Sequence, residues 1–221
     1  KKLLLAALAA LSAYLLLWPV PADPVAWRAP EDAGYSGPHA TNRALADLRH
    51  IDLGGDAGPE HVAVGPDGLL YVAVAGGNVL RMAADGGGRE VFANTGGRVL
   101  GFDFDAAGHL VAADAYRGLL SISPAGETTV LADRFEGEPI RYADAVVVAD
   151  DGRIYFSDAS TRFAPADWGG TFEASVLDIL EQSTTGRVFE YDPATRALRV
   201  VARGLSFANG VELTADQRAL L

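Results

Sequence analysis

The chain has 221 residues, a formal net charge of −11 and no cysteine, and 49% of its residues are hydrophobic. That is enough apolar material for one globular unit with a full core. The acidic balance, with no Lys/Arg cluster beyond Lys1 and Lys2, excludes a nucleic-acid partner, and the missing cysteines exclude disulfides, thiolate metal sites and a cysteine nucleophile.

Lys1 and Lys2 precede an apolar run, residues 3–18, in which Ser12 is the one clearly polar residue. Those sixteen residues rise about 24 Å as a helix, against a hydrocarbon core of about 30 Å, and snorkelling lysines with an interfacial Trp18 make up the difference. Residues 1–18 are therefore expected as a signal anchor, an uncleaved transmembrane helix that makes the membrane a partner. A signal peptide cleaved near Val20, Pro21 and Ala22 is the alternative. In both readings the lysines stay cytoplasmic and everything after Pro19 is exported, held on the bacterial periplasmic side by the anchor or secreted after cleavage.

Residues 19–58 are rich in Pro, Gly, Ala and Asp, as expected of a linker that runs into an edge strand near residues 48–53. Short apolar runs follow at 61–64, 69–73, 79–82 and 90–93, separated by Gly-rich turns, which predicts a four-stranded meander. A second copy is expected at 100–104, 110–113, 118–122 and 128–132, and a third at 145–148, 154–157, 187–191 and 198–202. No strand alternates with a helical period as in parallel sheets, so the class is all-β. An insertion, residues 161–185, interrupts the third copy, and Phe172, Val176, Ile179 and Leu180 within it predict a short amphipathic helix covering the rim or forming a flap.

The turn glycines Gly68, Gly108 and Gly152 recur at intervals of 40 and 44 residues, the period of propeller blades. Glu60 lies eight residues before Gly68, Asp144 eight before Gly152, and Asn209 eight before Gln217, which stands at the glycine position of a fourth copy. Leu100 fills the slot in the second copy. Residues equivalent by repeat converge on a propeller axis, so Glu60, Asp144 and Asn209 are candidate metal ligands. All three offer hard oxygen atoms, which suits Ca²⁺ over zinc or copper. Residues 59–221 hold three blades and the opening of a fourth, and a propeller needs about four to eight, so the chain reads as an N-terminal fragment.

The remaining polar residues are weaker candidates. Asp114 and Asp158, each six residues after a turn glycine, read as strand-ending side chains that satisfy backbone N–H groups in the next turn. Arg98 and Arg141 precede innermost strands, where solvent exposure is expected, with pairing to an anionic substrate or to a ligand carboxylate as the alternatives. His61 is expected to alternate away from Glu60. Ser157 and Ser160 lie in no nucleophile elbow, so nothing suggests a serine hydrolase.

The runs GPEHVAVGPDG, GGRVLGFDFDAAGHLVAADAYRGLL, DGRIYFSDASTRF and TGRVFEYDPATRALRVVARGLSFANGVELTAD resemble the strictosidine synthase-like family, in its adipocyte plasma membrane-associated protein branch, within the gluconolactonase and paraoxonase group. The resemblance covers about residues 45–221 and implies a six-bladed β-propeller with Ca²⁺ in its central channel. It also implies hydrolysis of lactones or aryl esters, and type II membrane anchoring. On these motifs Glu60 matches a first-blade carboxylate ligand, Asp144 stands where many members have Asn, and Asn209 matches the Asn of a Pro-Asn-Gly motif, here Ala208, Asn209 and Gly210. Leu100 occupies the slot where paraoxonases carry a catalytic His.

The expected function is that of a membrane-anchored, Ca²⁺-dependent hydrolase of lactones or carboxylic esters, with Asp144 as a ligand or as the base for water attack. A non-catalytic binding propeller and a strictosidine synthase-type condensing enzyme are the alternatives.

Overall fold

The computed structural model describes residues 1–32 and 34–221. Helix α1 (Lys2–Leu17) is followed, among the described residues, by irregular chain with one 3₁₀ turn (Gly37–His39), and from Val62 by strands in meander order. Strands β1 (Val62–Val64), β2 (Leu70–Ala73), β3 (Asn78–Met82) and β4 (Glu90–Asn94) form the first antiparallel sheet. The second is β5 (Val99–Phe104), β6 (Leu110–Asp114), β7 (Gly118–Ile122) and β8 (Thr128–Ala132). A small hairpin, β9 (Arg134–Phe135) with β10 (Glu138–Pro139), leads into the third sheet. That sheet is β11 (Ala143–Val148), β12 (Ile154–Asp158), β13 (Gly186–Asp192) and β14 (Ala197–Leu205), with helix α2 (Thr171–Glu181) inserted between β12 and β13.

One turn repeats four times and sets the register. Gly68, Gly108 and Gly152 take φ of +79°, +81° and +87°, and each donates its N–H to the carbonyl three residues back. Gln217 takes the same left-handed conformation, φ +59°, and donates to Thr214 O, while Leu213 and Leu220 pair across that turn. A fourth meander therefore opens at the end of the chain.

Each sheet is packed on both faces, so its strands read as apolar runs rather than as clean alternation. In β6 all five residues are buried. Leu110 and Ala112 face the first sheet, in one cluster with Tyr71, Val79 and Phe102. Val111 and Ala113 face the third, with Ile154, Phe156 and Phe189. Successive sheets thus stack through period-two strands, as propeller blades do.

Three expectations are corrected. Residues 48–53 form no strand; Ile51 and Leu53 cover Val72, Leu80 and Met82 as irregular chain. Helix α1 has 16 residues, and no helix among the described residues is long and apolar enough to cross a membrane. Trp18, held extended before Pro19, ends it, because the proline ring disfavours helical backbone in the preceding residue. The transmembrane signal anchor, the membrane as partner and the anchored localisation are therefore not supported.

Helix α2 lies where predicted but is rotated. Phe172, Val176, Ile179 and Leu180 are exposed, and the buried side is Ala174 and Asp178, with Leu177 packed beside them. Small Ala174 lets the helix lie close against Tyr142, Ala159 and Phe163. The Asp178 carboxylate accepts from Ser183 Oγ at 2.6 Å. Tyr142 Oη donates to Thr171 O at 2.6 Å and ties the helix start to the third blade.

Candidate functional site

The innermost strands β1, β5 and β11 open at equivalent points, and two of those points are irregular. Strand β5 slips register against β6 between Val99 and Gly101, and β11 slips against β12 between Ala143 and Val146. Such bulges re-aim a side chain out of the pleat, and they fall on Leu100 and on Asp144. The amide of Ala145, freed from the ladder, donates to Ser157 Oγ at 3.0 Å. Gly101 permits the close approach of β5 to β11, since a Cβ there would meet Asp144 O at 2.7 Å.

Two further carboxylates hold the approach to these slots. Asp114 Oδ1 accepts the amide of Arg98, two residues before Leu100, at 3.1 Å. Asp158 Oδ1 accepts the amide of Tyr142, two before Asp144, at 2.8 Å. Asp114 also caps the next turn, accepting from Tyr116 N and Arg117 N, as expected from the sequence. Asp158 instead pairs with Arg187 at 2.9 Å, with burial pushing its carboxyl up against that pairing.

Glu60, Asp144 and Asn209 line one cavity of about 310 Å³. Asp144 is 6% exposed, and its carboxyl is pushed up to about 8, first by burial and then by the charge of Glu60. Asn209 Nδ2 stands 3.5 Å from Asp144 Oδ2. Glu60 is more open, and Arg98 binds it at 3.0 Å while a second guanidinium nitrogen donates to Gly58 O at 2.9 Å. The Arg98 side chain is only 13% exposed, so the expected solvent exposure is corrected and the carboxylate partner holds. Arg141 pairs with Asp167 instead.

The rest of the lining is Leu100, Tyr142, Phe207 and Phe172, together with Thr171 and Ser175 of α2. Tyr142 and Phe207 meet edge to face at 5.4 Å. A second cavity, of about 280 Å³, shares Glu60, Leu100, Asp144 and Asn209 with the first and is also lined by His61. The His61 ring packs on Phe102 at 4.6 Å, and burial lowers its basicity against the pull of Asp103 and Glu60. The particular partners of Arg98 and His61, Glu60 and Phe102, lie in a neighbouring blade, which no spacing within one repeat encodes.

Among the described residues no three His, Cys, Asp or Glu side chains gather as a metal site. The channel set is two carboxylates and one amide. Its chemistry nevertheless suits a hard cation: a buried carboxyl whose ionisation is opposed by burial and a like charge is relieved by a cation beside it. The amide would have to turn its oxygen inward, an assignment that heavy-atom positions leave free.

Four-stranded antiparallel meanders stacked around a channel, each presenting the entry of its first strand to it, are the architecture of a β-propeller. A solved gluconolactonase from Xanthomonas campestris superposes with a TM-score of 0.61 at 22% identity, over 75% of this chain and 54% of that one, which shows the shared fold. The model described as "Strictosidine synthase-like, N-terminal" matches residues 37–82, and the "Strictosidine synthase" model matches 144–221. The strictosidine synthase-like 4 protein of Arabidopsis thaliana is 38% identical over 81% of this chain and 48% of its own length. The adipocyte plasma membrane-associated protein of Salmo salar is 31% identical over 84% of this chain and 47% of its own. The chain belongs to the strictosidine synthase-like family, with the gluconolactonase-type propeller fold, and spans about half the length of these curated relatives.

Proposed function

We propose that the protein is a Ca²⁺-dependent hydrolase of lactones or of carboxylic, including aryl, esters, and that Glu60, Asp144 and Asn209 hold the metal. The observation that carries this reading is the buried Asp144 carboxyl beside Glu60 and Asn209 in a cavity with apolar walls. When bound, Ca²⁺ supplies polarisation of the substrate carbonyl and stabilises the developing oxyanion. The chain's own residues do the rest. Arg98 fixes the Glu60 carboxylate, and Asp158 fixes the strand entry that aims Asp144. Leu100, Tyr142 and Phe207 keep water from the carbonyl except along the cavity mouth, which strengthens every polar contact inside. Asp144 serves as ligand or as base to the attacking water, and cation binding, by lowering its pKa, favours the ligand role.

The test is turnover of phenyl acetate and simple lactones by the full-length protein, before and after chelation. Activity lost with the metal and restored by Ca²⁺ is expected; hydrolysis that survives both chelation and Glu60→Ala contradicts the reading. One observation favours a second reading, a non-catalytic binding propeller: the second-blade slot is filled by Leu100, 8% exposed, which has no group to move a proton. Ca²⁺ binding without turnover of any ester or lactone supports that reading instead.

A further inference from the structure

Helix α2 lines one side of the central cavity. Arg98, Thr171 and Phe172 form one of its walls and also a wall of a neighbouring groove of about 420 Å³. The rest of that groove is Ala75, the bare backbone of Gly76, Gly97 and Gly170, the ring of Tyr116 and, at its edge, Glu173. Gly97 has no room for a side chain, because a Cβ would meet the Asp114 carboxylate at 2.2 Å. Two aromatic rings are left uncovered here: Phe172 is 73% exposed and Tyr116 46%. Exposed aromatic rings beside a concave, side-chain-poor floor mark a surface that a ligand covers.

The polar atoms nearest the central cavity are already engaged. The Arg98 guanidinium is bound to Gly58 O and Glu60. Ser175 Oγ donates to Phe172 O at 2.8 Å, and Tyr142 Oη donates to Thr171 O. The largest exposed surface left to a ligand there is the two aromatic rings of Phe172 and Tyr116 over a glycine floor, which an apolar arm covers. An anionic arm would meet Glu173 in the groove and Glu60 and Asp144 in the cavity.

We infer that the groove lined by Ala75, Gly97, Tyr116 and Phe172 is a substrate subsite for a neutral apolar arm, an alkyl chain or aryl ring, of the molecule whose carbonyl occupies the central cavity. The placement of the carbonyl rests on the hydrolase reading. The groove's preference for an apolar arm does not. Helix α2 thus contributes specificity through Phe172, whose exposed side chain packs against ligand rather than core.

The experiment compares γ-butyrolactone, which has no arm, with γ-nonalactone and glucono-δ-lactone on the full-length protein. The tailed lactone is expected to have a kcat/KM about tenfold above the bare ring, the worth of a few buried methylenes, and the hydroxylated one to gain nothing from the groove. Ala75→Trp fills the groove, so the ratio of tailed to bare kcat/KM should fall about tenfold. Phe172→Ala, at a position without core contacts, should lower that ratio about threefold or more through KM, with the melting temperature unchanged. Equal ratios in wild type and both variants overturn the subsite while leaving hydrolysis intact.

A second readout needs no turnover. Calorimetric binding of the unreactive ketone 4-phenylbutan-2-one should weaken about fivefold or more in both variants. Should no lactone or ester be hydrolysed while that binding still depends on Ala75 and Phe172, the hydrolase reading fails and the subsite stands. Ketone binding indifferent to both substitutions overturns the subsite.

Discussion

A methyl group on Gly101 would meet the Asp144 carbonyl oxygen at 2.7 Å and Ala145 Cα at 3.0 Å, both rigid backbone of the adjoining innermost strand. Gly101→Ala must therefore push β11 from β5, and a cost of about 1–3 kcal/mol in urea unfolding is expected. An unchanged midpoint would mean that the strands are not packed as described. The slots themselves were legible in the sequence. Gly68, Gly108 and Gly152 each need left-handed backbone in the same turn, so counting eight residues back from each finds equivalent positions. What surrounds the slots was not legible. Arg98 reaches Glu60 across a blade boundary, and the Asp158 carboxylate pins Tyr142 across a strand pair, contacts set by tertiary packing rather than by spacing.

At the scale of elements, the strand positions followed from turn glycines and apolar runs, because a blade packed on both faces shows its strands as blocks between turns. The existence of α2 followed from its 3.6-residue period, but its orientation did not. The stripe of Phe172, Val176, Ile179 and Leu180 is the larger apolar surface, yet Ala174 and Asp178 face inward, where a small residue allows contact and Ser183 Oγ donates to one oxygen of the carboxylate. The helix start hangs on Tyr142, whose hydroxyl donates to Thr171 O. Tyr142→Phe should cost about 1 kcal/mol and speed amide exchange in α2 while the strands of the first blade keep their protection. Uniform acceleration across all blades would contradict that local role.

The outer strands of the third blade carry a pH dependence. Glu190 on β13 takes two guanidinium hydrogen bonds from Arg199 on β14, at 2.7 and 2.6 Å, and these hold its carboxyl below the ordinary Glu value. A depressed carboxylate contributes stability above the unfolded pKa of about 4.3, and that contribution is lost as pH falls through the lower, folded pKa. Arg199→Gln should therefore lower stability near neutral pH and move acid unfolding to higher pH. The difference from wild type should vanish once Glu190 is protonated in both. A difference that persists undiminished into strong acid would assign the effect to packing instead.

For the whole molecule, the decisive arrangement is rotational: successive blades present equivalent strand entries to one channel, so side chains 65 or more residues apart share a cavity. The repeat period carried that arrangement into the sequence. The N-terminal helix is the opposite case. Its composition suggested a membrane span, but the helix stops at Leu17 before Pro19, and no helix among the described residues meets the length and hydropathy that crossing requires. Hydropathy states how apolar a run is; backbone geometry states how far it reaches.

The central claim, that Glu60, Asp144 and Asn209 jointly hold one hard cation, is tested most directly by titrating Ca²⁺ calorimetrically into chelator-stripped full-length protein and its Glu60→Gln and Asp144→Asn variants. The account predicts a Ca²⁺ site that each substitution weakens about tenfold or more, since each removes a charged oxygen ligand. Ca²⁺ binding that is absent from the wild type, or indifferent to both substitutions, would contradict it.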